Sequence, residues 1–250
     1  MSPTAEGASA TPSVGATTWV IVAAAGESRR MGLPEGESKQ FLLLAGEPII
    51  CHSVRRLSAI DKVAGIVVVL HPSHVVRFAG LPVVAEQGKP VLIAEGGSER
   101  SDSVRAGLSV VPAEADVIAV HDGARPLFSR HVFAACLAAL DGADGADGAV
   151  PATAVVDTLK RADGDGRVLR TVERRDLWAV QTPQVFKAAA LRAAYARPDV
   201  SGSTDDAGVL ERAGATVVVV PSTQANVKIT TPADLPLAGA LLSWETEADV

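Results

Sequence analysis

The sequence predicts an α/β protein built on a Rossmann-like, mainly parallel twisted sheet, with helices on both faces and a projecting β-hairpin arm. Three observations carry that expectation. Short apolar, β-branched runs alternate with segments whose apolar residues recur at helical spacing, the rhythm of βαβ units. The runs are apolar along their whole length, as strands covered on both faces are. One region, 153–177, breaks the rhythm with two strand-like arms around an Asp-Gly turn.

Taken in order, residues 1–18 are rich in Ser, Thr, Ala, Gly and Pro, carry no Lys or Arg, and read as a disordered tail. Ala23-Ala24-Ala25 imitates a signal-peptide cleavage site, but the basic n-region is missing and the preceding apolar run is too short. Residues 19–250 read as a single domain. Strands buried on both faces are expected at 19–23, 65–70, 91–94, 117–121, 149–152 and 216–220. Helices are expected at 49–60, 101–110, 130–140 and 187–197, where apolar residues follow helical spacing. In such a sheet, ligands sit at the carboxyl ends of the strands. The Asp-Gly repeat at 141–148 invites a calcium reading, yet EF-hand loops place acidic ligands at every second position, whereas these aspartates recur every third; a solvated loop is expected. The arm has too little local core to stand alone, so it is expected to pack on a partner subunit and make a homodimer.

Bulk properties exclude several function classes. A formal net charge of -6 argues against a general nucleic-acid or anionic-membrane binder, which needs a basic face. Cys51 and Cys136 lie far apart with no CxxC spacing or His cluster nearby, which suits buried thiols in a reducing compartment. No stretch approaches the length of a membrane span. The expected location is cytoplasmic.

The chemistry concentrates after the first strand, where Ala24-Ala25-Gly26-Glu27-Ser28-Arg29-Arg30-Met31 is followed by Ser38-Lys39-Gln40-Phe41. Small residues let an anion approach backbone N–H groups, and the adjacent cations suit a polyphosphate. A dinucleotide fold is the competing reading, but it needs G-x-G-x-x-G and few cations at the turn; here Met31 takes the third glycine position.

The same segment resembles the PxAAGxGxRMxxxxPKQ signature of sugar-phosphate nucleotidylyltransferases. Gly96-Gly97-Ser98-Glu99-Arg100-Ser101-Asp102-Ser103-Val104 is similar to GGxxRxxSV, His121-Asp122-Gly123-Ala124-Arg125-Pro126 to HDAARP, and Asn226-Val227-Lys228-Ile229-Thr230-Thr231-Pro232-Ala233-Asp234 to NxKxTxPxD. With Asp157-Thr158, Arg174, Leu177-Trp178, Thr182-Pro183-Gln184 and Thr204-Asp205-Asp206-Ala207, these motifs resemble the 2-C-methyl-D-erythritol 4-phosphate cytidylyltransferase family, from about Trp19 to a C-terminal helix around Trp244.

The resemblance implies transfer of CMP from CTP to methylerythritol phosphate, with release of pyrophosphate and with Mg2+ carried mainly on the CTP phosphates. Such chemistry needs fixed cations, and the catalytic candidates are Arg30, Lys39 and Lys228: the resemblance assigns transition-state stabilisation to the positions of Arg30 and Lys39, and Lys228, on the last strand-like segment, is placed to reach the acceptor phosphate. The CTP site would comprise Ala24, Ala25, Gly26, Ser28, Arg30, Lys39, Gly97, Ser98, Ser103, Asp122 and Gly123. Each serine alone reads equally well as part of a turn or as an N-cap at Ser101 or Ser103. Asp122 could face ribose, an acceptor hydroxyl or a metal-bound water; hydroxyl binding is favoured, and no protein metal ligands are expected. His121 beside it reads as a hydrogen-bonding residue rather than a base. Acceptor recognition would use Asp122, Arg125, Thr158, Arg174, Thr182, Thr204 and Lys228, with Arg174 reaching across the dimer. Met31, Phe41 and Trp178 read as core or hairpin anchors.

The chain departs from the family pattern at Ala23, Ser28, Ser38 and Gly123, none of which removes a charge, and it carries a Leu33-Pro34-Glu35-Gly36-Glu37 loop ahead of Lys39. Competing functions are a cytidylyltransferase for another polyol phosphate such as ribitol 5-phosphate, a nicotinamide-dependent oxidoreductase, or a non-catalytic protein that has kept the fold.

Overall fold

The computed structural model describes residues 17–26, 28–142, 145–200 and 202–248. Residues 1–16 of the expected tail, and two residues of the Asp-Gly repeat, lie outside them. Strand β1 spans Thr18–Ala23, and a small β2 (Leu43–Leu44) and β3 (Glu47–Pro48) hairpin precedes α1 (Ile49–Ser58). Then come β4 (Val63–Leu70), short α2 (Val75–Ala79) and α3 (Pro82–Ala85), β5 (Val91–Glu95), α4 (Arg100–Val110), β6 (Val117–Asp122), α5 (Arg130–Leu140) and β7 (Gly148–Ala154). The second half adds β8 (Leu159–Ala162), β9 (Val168–Val172), β10 (Trp178–Val180), β11 (Gln184–Lys187), α6 (Ala188–Tyr195), α7 (Asp206–Arg212), β12 (Val217–Pro221) and α8 (Asp234–Ala248).

Eight strands form one sheet. The pairs β1–β4, β1–β6, β4–β5 and β7–β12 are parallel, whereas β11 runs antiparallel between β6 and β7, and β10 runs antiparallel on β7. Alternate side chains on each central strand serve opposite faces. Val20, Val22, Ile66 and Val68 meet Val54 and Leu57 of α1 and Phe133 and Leu137 of α5 on one side. Trp19, Ile21, Val67 and Val69 meet Val104 and Leu108 of α4 and Leu191 of α6 on the other. A smaller cluster of Leu44, Ile49, Leu127, Ile229 and Ala238 seats α8.

The expected βαβ core therefore stands, with three corrections. β5 and β12 lie at the margins of the sheet and keep residues such as Leu92 and Val219 exposed, so they are not buried on both faces. β11 was not anticipated: four residues carry no readable periodicity, and neighbouring strands define it. The N-cap of α4 is Glu99 rather than a serine, in a reciprocal capping box with Asp102. The arm exists as the antiparallel pair β8–β9, with Leu159 opposite Val172, and it forms a sheet of its own.

Gly107 shows why α4 can lie so close to β1: a Cβ there would stand 2.6 Å from Cγ2 of Ile21 and 3.1 Å from Cγ2 of Val69. Gly107→Ala is expected to lower folding stability by about 1–3 kcal/mol through overpacking, despite its better helix propensity. Urea unfolding checks this, and an unchanged or raised midpoint would contradict the packing described.

Candidate active site

Because β1, β4, β5 and β6 are parallel, their carboxyl ends open on the same side, and the loops that leave them are stitched together. Ala24 N–H donates to Val69 O at 2.8 Å, Gly96 N–H to Leu70 O at 2.7 Å and Gly123 N–H to Ala23 O at 3.1 Å. Between these loops lies a cleft of about 570 Å3, lined by Arg30, Lys39, Arg100, Asp122 and Lys228 among others. Gly96 and Gly97 are needed at its wall, since a Cβ would meet Ala25 Cβ at 2.4 Å in one case and Asp102 Cβ at 2.4 Å in the other.

Asp122, at the end of β6, organises the cations. Lys228 Nζ lies 2.8 Å from its Oδ2, Arg125 Nε 3.3 Å from the same oxygen and Arg100 Nε 4.0 Å from Oδ1. Burial alone would raise the pKa of this carboxyl; Lys228, Arg100 and Arg125 outweigh it and hold the group well below the usual carboxylate range. Behind it, Asp122 N–H donates to Thr182 Oγ1 at 2.9 Å, and that hydroxyl lies 3.1 Å from His121 Nδ1. His121 Nε2 is 3.1 Å from Arg125 O. One neutral tautomer satisfies the chain: Thr182 donates to Nδ1 and Nε2–H donates to the carbonyl. Burial pushes the His121 pKa down to about 3, so it is a fixed hydrogen-bonding link. Its two ring nitrogens are both engaged.

Lys39 stands opposite. The short helical turn Lys39–Phe41 is capped by Ser38, Lys39 N–H donates to Ser28 Oγ at 2.8 Å, and Nζ donates to Ile229 O at 2.8 Å. That last bond ties the first loop to the segment carrying Lys228. Burial, then the Lys228 and Arg30 charges, push the Lys39 pKa down to about 8.

The structure sorts the sequence-derived residues into groups. Arg30, Lys39, Lys228, Ala25, Gly26, Gly97, Ser98, Ser103 and Asp122 share the cleft. Ala24 is buried beneath it with its N–H already engaged, and Gly123 lies beside it, where the missing methyl leaves room for Gln40 Oε1 at 3.0 Å from the Cβ position. Ser28 faces an adjoining cavity of about 580 Å3. Arg125 and Thr182 bind Asp122 from behind, and Arg125 Nη1 also donates to Asn226 O at 2.7 Å. Arg174 sits elsewhere, in a pocket at the foot of the arm with Val155 and Trp178. Thr158 precedes β8 and Thr204 precedes α7; neither lines the cleft. Met31 and Phe41 are buried, whereas Trp178 is 40% exposed.

Sequence reasoning passed over several cleft residues, among them His71, Arg100 and Gln40. Arg100, quoted within the Gly96–Val104 motif, donates through Nη2 to Asp206 Oδ2 at 2.6 Å; burial opposes its charge, but the Asp206 contact outweighs burial and raises its pKa. Its place three residues after the Gly96-Gly97 pair was the available signal. Gln40 also lines the cleft, next to Lys39 in sequence.

Comparison with known proteins followed the same line. The family model described as IspD, 2-C-methyl-D-erythritol 4-phosphate cytidylyltransferase, matches residues 18–244. A protein of that name from Symbiobacterium thermophilum is 42% identical over 228 residues, covering 90% of this chain and 93% of its own length. One from Parasynechococcus marenigrum is 40% identical over 226 residues, covering 90% of this chain and 97% of its own. Among solved structures, 2-C-methyl-D-erythritol 4-phosphate cytidylyltransferase from Thermus thermophilus is 32% identical with a TM-score of 0.70, covering 91% of this chain and 98% of its own. The 4-diphosphocytidyl-2C-methyl-D-erythritol synthase from Anaerococcus prevotii has a TM-score of 0.78 at 25% identity, covering 92% of this chain and 99% of its own.

The depressed Lys39 pKa gives a pH dependence with a definite sign: its proton leaves as pH rises through about 8, and with it part of the attraction for an anion. Affinity for inorganic triphosphate is expected to fall roughly ten-fold between pH 7 and pH 9, and much less in Lys39→Arg, whose charge persists. Calorimetric titration tests this; an equal fall in both proteins would remove Lys39 as the titrating group.

Proposed function

We infer the reaction from membership: the chain belongs to the 2-C-methyl-D-erythritol 4-phosphate cytidylyltransferase family, and it transfers CMP from CTP to 2-C-methyl-D-erythritol 4-phosphate, releasing pyrophosphate. The observation that carries this reading in the molecule itself is the convergence of Arg30, Lys39, Arg100 and Lys228 on one cleft of an otherwise acidic protein.

The acceptor is a phosphate monoester with a second pKa near 6, so about nine-tenths of it is dianion at neutral pH and no side-chain base is needed. What opposes reaction is repulsion between two anions and the charge that builds on the α-phosphate oxygens and the departing pyrophosphate. The proposed roles follow. Lys39 and Arg30, beside the small-residue turn at Ala25 and Gly26, stabilise charge on the triphosphate. Lys228, presented by its 2.8 Å contact with Asp122, binds the acceptor phosphate and holds it in line for attack on the α-phosphorus. The remaining capacity of Asp122 accepts a hydroxyl. Gly97, Ser98 and Ser103 form a wall narrow enough for a pyrimidine edge, although Ser98 Oγ also reaches Asp102 at 3.2 Å and Ser103 Oγ reaches Glu99 O at 3.2 Å.

The residues fit Mg2+ brought in as part of the nucleotide. Asp122 offers the cleft a carboxylate, and Mg2+ at such sites is held by phosphates and water with one or two carboxylates; among the described residues no group of three His, Cys, Asp or Glu is arranged for a metal ion. When bound, it neutralises phosphate charge.

Arg174 and Thr158 lie at the arm, outside the cleft of their own chain. The arm exposes Val168 and Leu169, each 62% accessible, and Val156 at 68%. A homodimer is proposed, in which the arm packs on a second copy and Arg174 grips that copy's acceptor phosphate through two parallel hydrogen bonds. Thr204 would serve the acceptor from its own chain. No described helix is long and apolar enough to cross a membrane, both cysteines are buried free thiols, and the net charge suits neither nucleic acid nor an anionic membrane as partner. The cytoplasm is the proposed site of action.

With CTP, Mg2+ and a panel of polyol phosphates, pyrophosphate release is expected to be fastest with methylerythritol phosphate; a preference for ribitol 5-phosphate would overturn the acceptor assignment. Lys39→Ala is expected to lower kcat by roughly 100-fold or more with the fold intact by circular dichroism, in line with other removed transition-state donors. Unchanged turnover would take Lys39 out of the mechanism. Arg174→Ala should mainly raise the acceptor KM, by about ten-fold or more; an effect confined to the CTP KM would refute the role across the dimer.

A further inference from the structure

Behind the cleft lies a buried polar cluster that the reaction as described does not use. Asp206, the first residue of α7, is fully buried. One of its carboxylate oxygens accepts Arg100 Nη2 at 2.6 Å and the other accepts Tyr195 Oη of α6 at 2.6 Å. Its backbone N–H donates to Gln184 Oε1 of β11 at 3.2 Å, and Gln184 Nε2 in turn donates to Asp205 Oδ2 at 2.8 Å. Two helices, α4 and α6, thus meet at this carboxylate while β11 holds its backbone, and among the described residues its ion-pair partner is the guanidinium that also faces Asp122 from 4.0 Å.

Stability alone is a poor reason for such a pair. Taking two charges out of water costs about as much as their attraction returns, and apolar residues of similar volume often do as well or better. What the arrangement supplies is direction. Arg100 has many rotamers, and its guanidinium stands at the base of the Gly96-Gly97-Ser98-Glu99 loop; anchoring on Asp206 leaves it one place to be. There it faces the opposite carboxylate oxygen of Asp122 from the one that Lys228 and Arg125 hold.

We propose that Asp206 and Tyr195 are positioning residues for the transfer reaction, acting through Arg100, which they lock so that it fixes the Asp122 carboxylate and the loop at 96–99. The assignment rests on the cytidylyl-transfer reading above. It also connects the two sides of the site, since Thr204 is two residues before Asp206 and Arg100 follows the loop on the nucleotide side.

The test is a double-mutant cycle on the full chain, read as kcat and as the KM for CTP and for methylerythritol phosphate, with thermal unfolding to confirm that each variant is folded. D206N and R100Q are each expected to lower kcat about ten-fold or more, and the double variant should be no slower than R100Q alone, because residues that act as a unit are not additive. R100K, which keeps the charge but loses the fork, should recover only part of the loss. Y195F, which removes one hydrogen bond and keeps the ring, should lower kcat about three-fold in the Arg100 background and leave R100Q unchanged; it runs the same cycle if D206N does not fold. Multiplicative losses, or a wild-type kcat in a folded D206N, would overturn the proposal alone. A wild-type protein that releases no pyrophosphate from CTP would bring down the reaction reading and this inference with it.

Discussion

Like charges in one cleft repel, and the structure depends on how that repulsion is contained. Lys39, Arg30, Arg100 and Lys228 line a single cavity, and the Lys39 pKa is depressed first by burial and then by the neighbouring Lys228 and Arg30 charges. The counterweight facing the cleft is Asp122, touched or approached by Lys228, Arg125 and Arg100, while Asp206 pairs with Arg100 from behind. Two buried negative charges among a larger number of positive ones hold them in place and leave a positive remainder for a ligand to neutralise. Two phosphorylated reactants provide the complement, and neither the net charge of -6 nor the apolar core could have produced that local sign on its own.

The fold makes the cluster possible by simple means. Parallel strands deliver their carboxyl ends to one edge, so Ala23 of β1, Leu70 of β4, Glu95 of β5 and Asp122 of β6 open toward a common space. Backbone bonds between the departing loops fix their spacing, and the Lys39 to Ile229 contact ties the first loop to a segment 190 residues later. Asp122 is rigid because its own backbone is held through Thr182 and a neutral His121.

Much of this was legible in the sequence. The central strands and four helices announced themselves through apolar runs and helical spacing, since each is long and packed on a broad surface. The convergence of Arg30, Lys39, Asp122 and Lys228 came from motif resemblance, because residues so far apart carry no local signal of proximity. The exposure of β5 and β12 escaped because an apolar run does not say whether its strand has a neighbour on each side. β11 escaped because four residues owe their conformation to β6 and β7. Arg100 was visible within its motif but not as part of a site, since its partner Asp206 lies 106 positions away and reads locally as a helix start. Arg174 and Thr158 stand apart from the cleft of their own chain, a separation that motif resemblance alone did not reveal.

The central claim is that the cations around Asp122 form the place where two phosphates meet. A crystal structure with a non-hydrolysable CTP analogue, Mg2+ and methylerythritol phosphate tests it most directly. The account predicts the triphosphate against Lys39 and Arg30 and the acceptor phosphate within hydrogen-bond distance of Lys228 Nζ, displaced from or shared with Asp122. Nucleotide bound away from this cleft, or an acceptor phosphate held by none of these groups, would contradict it.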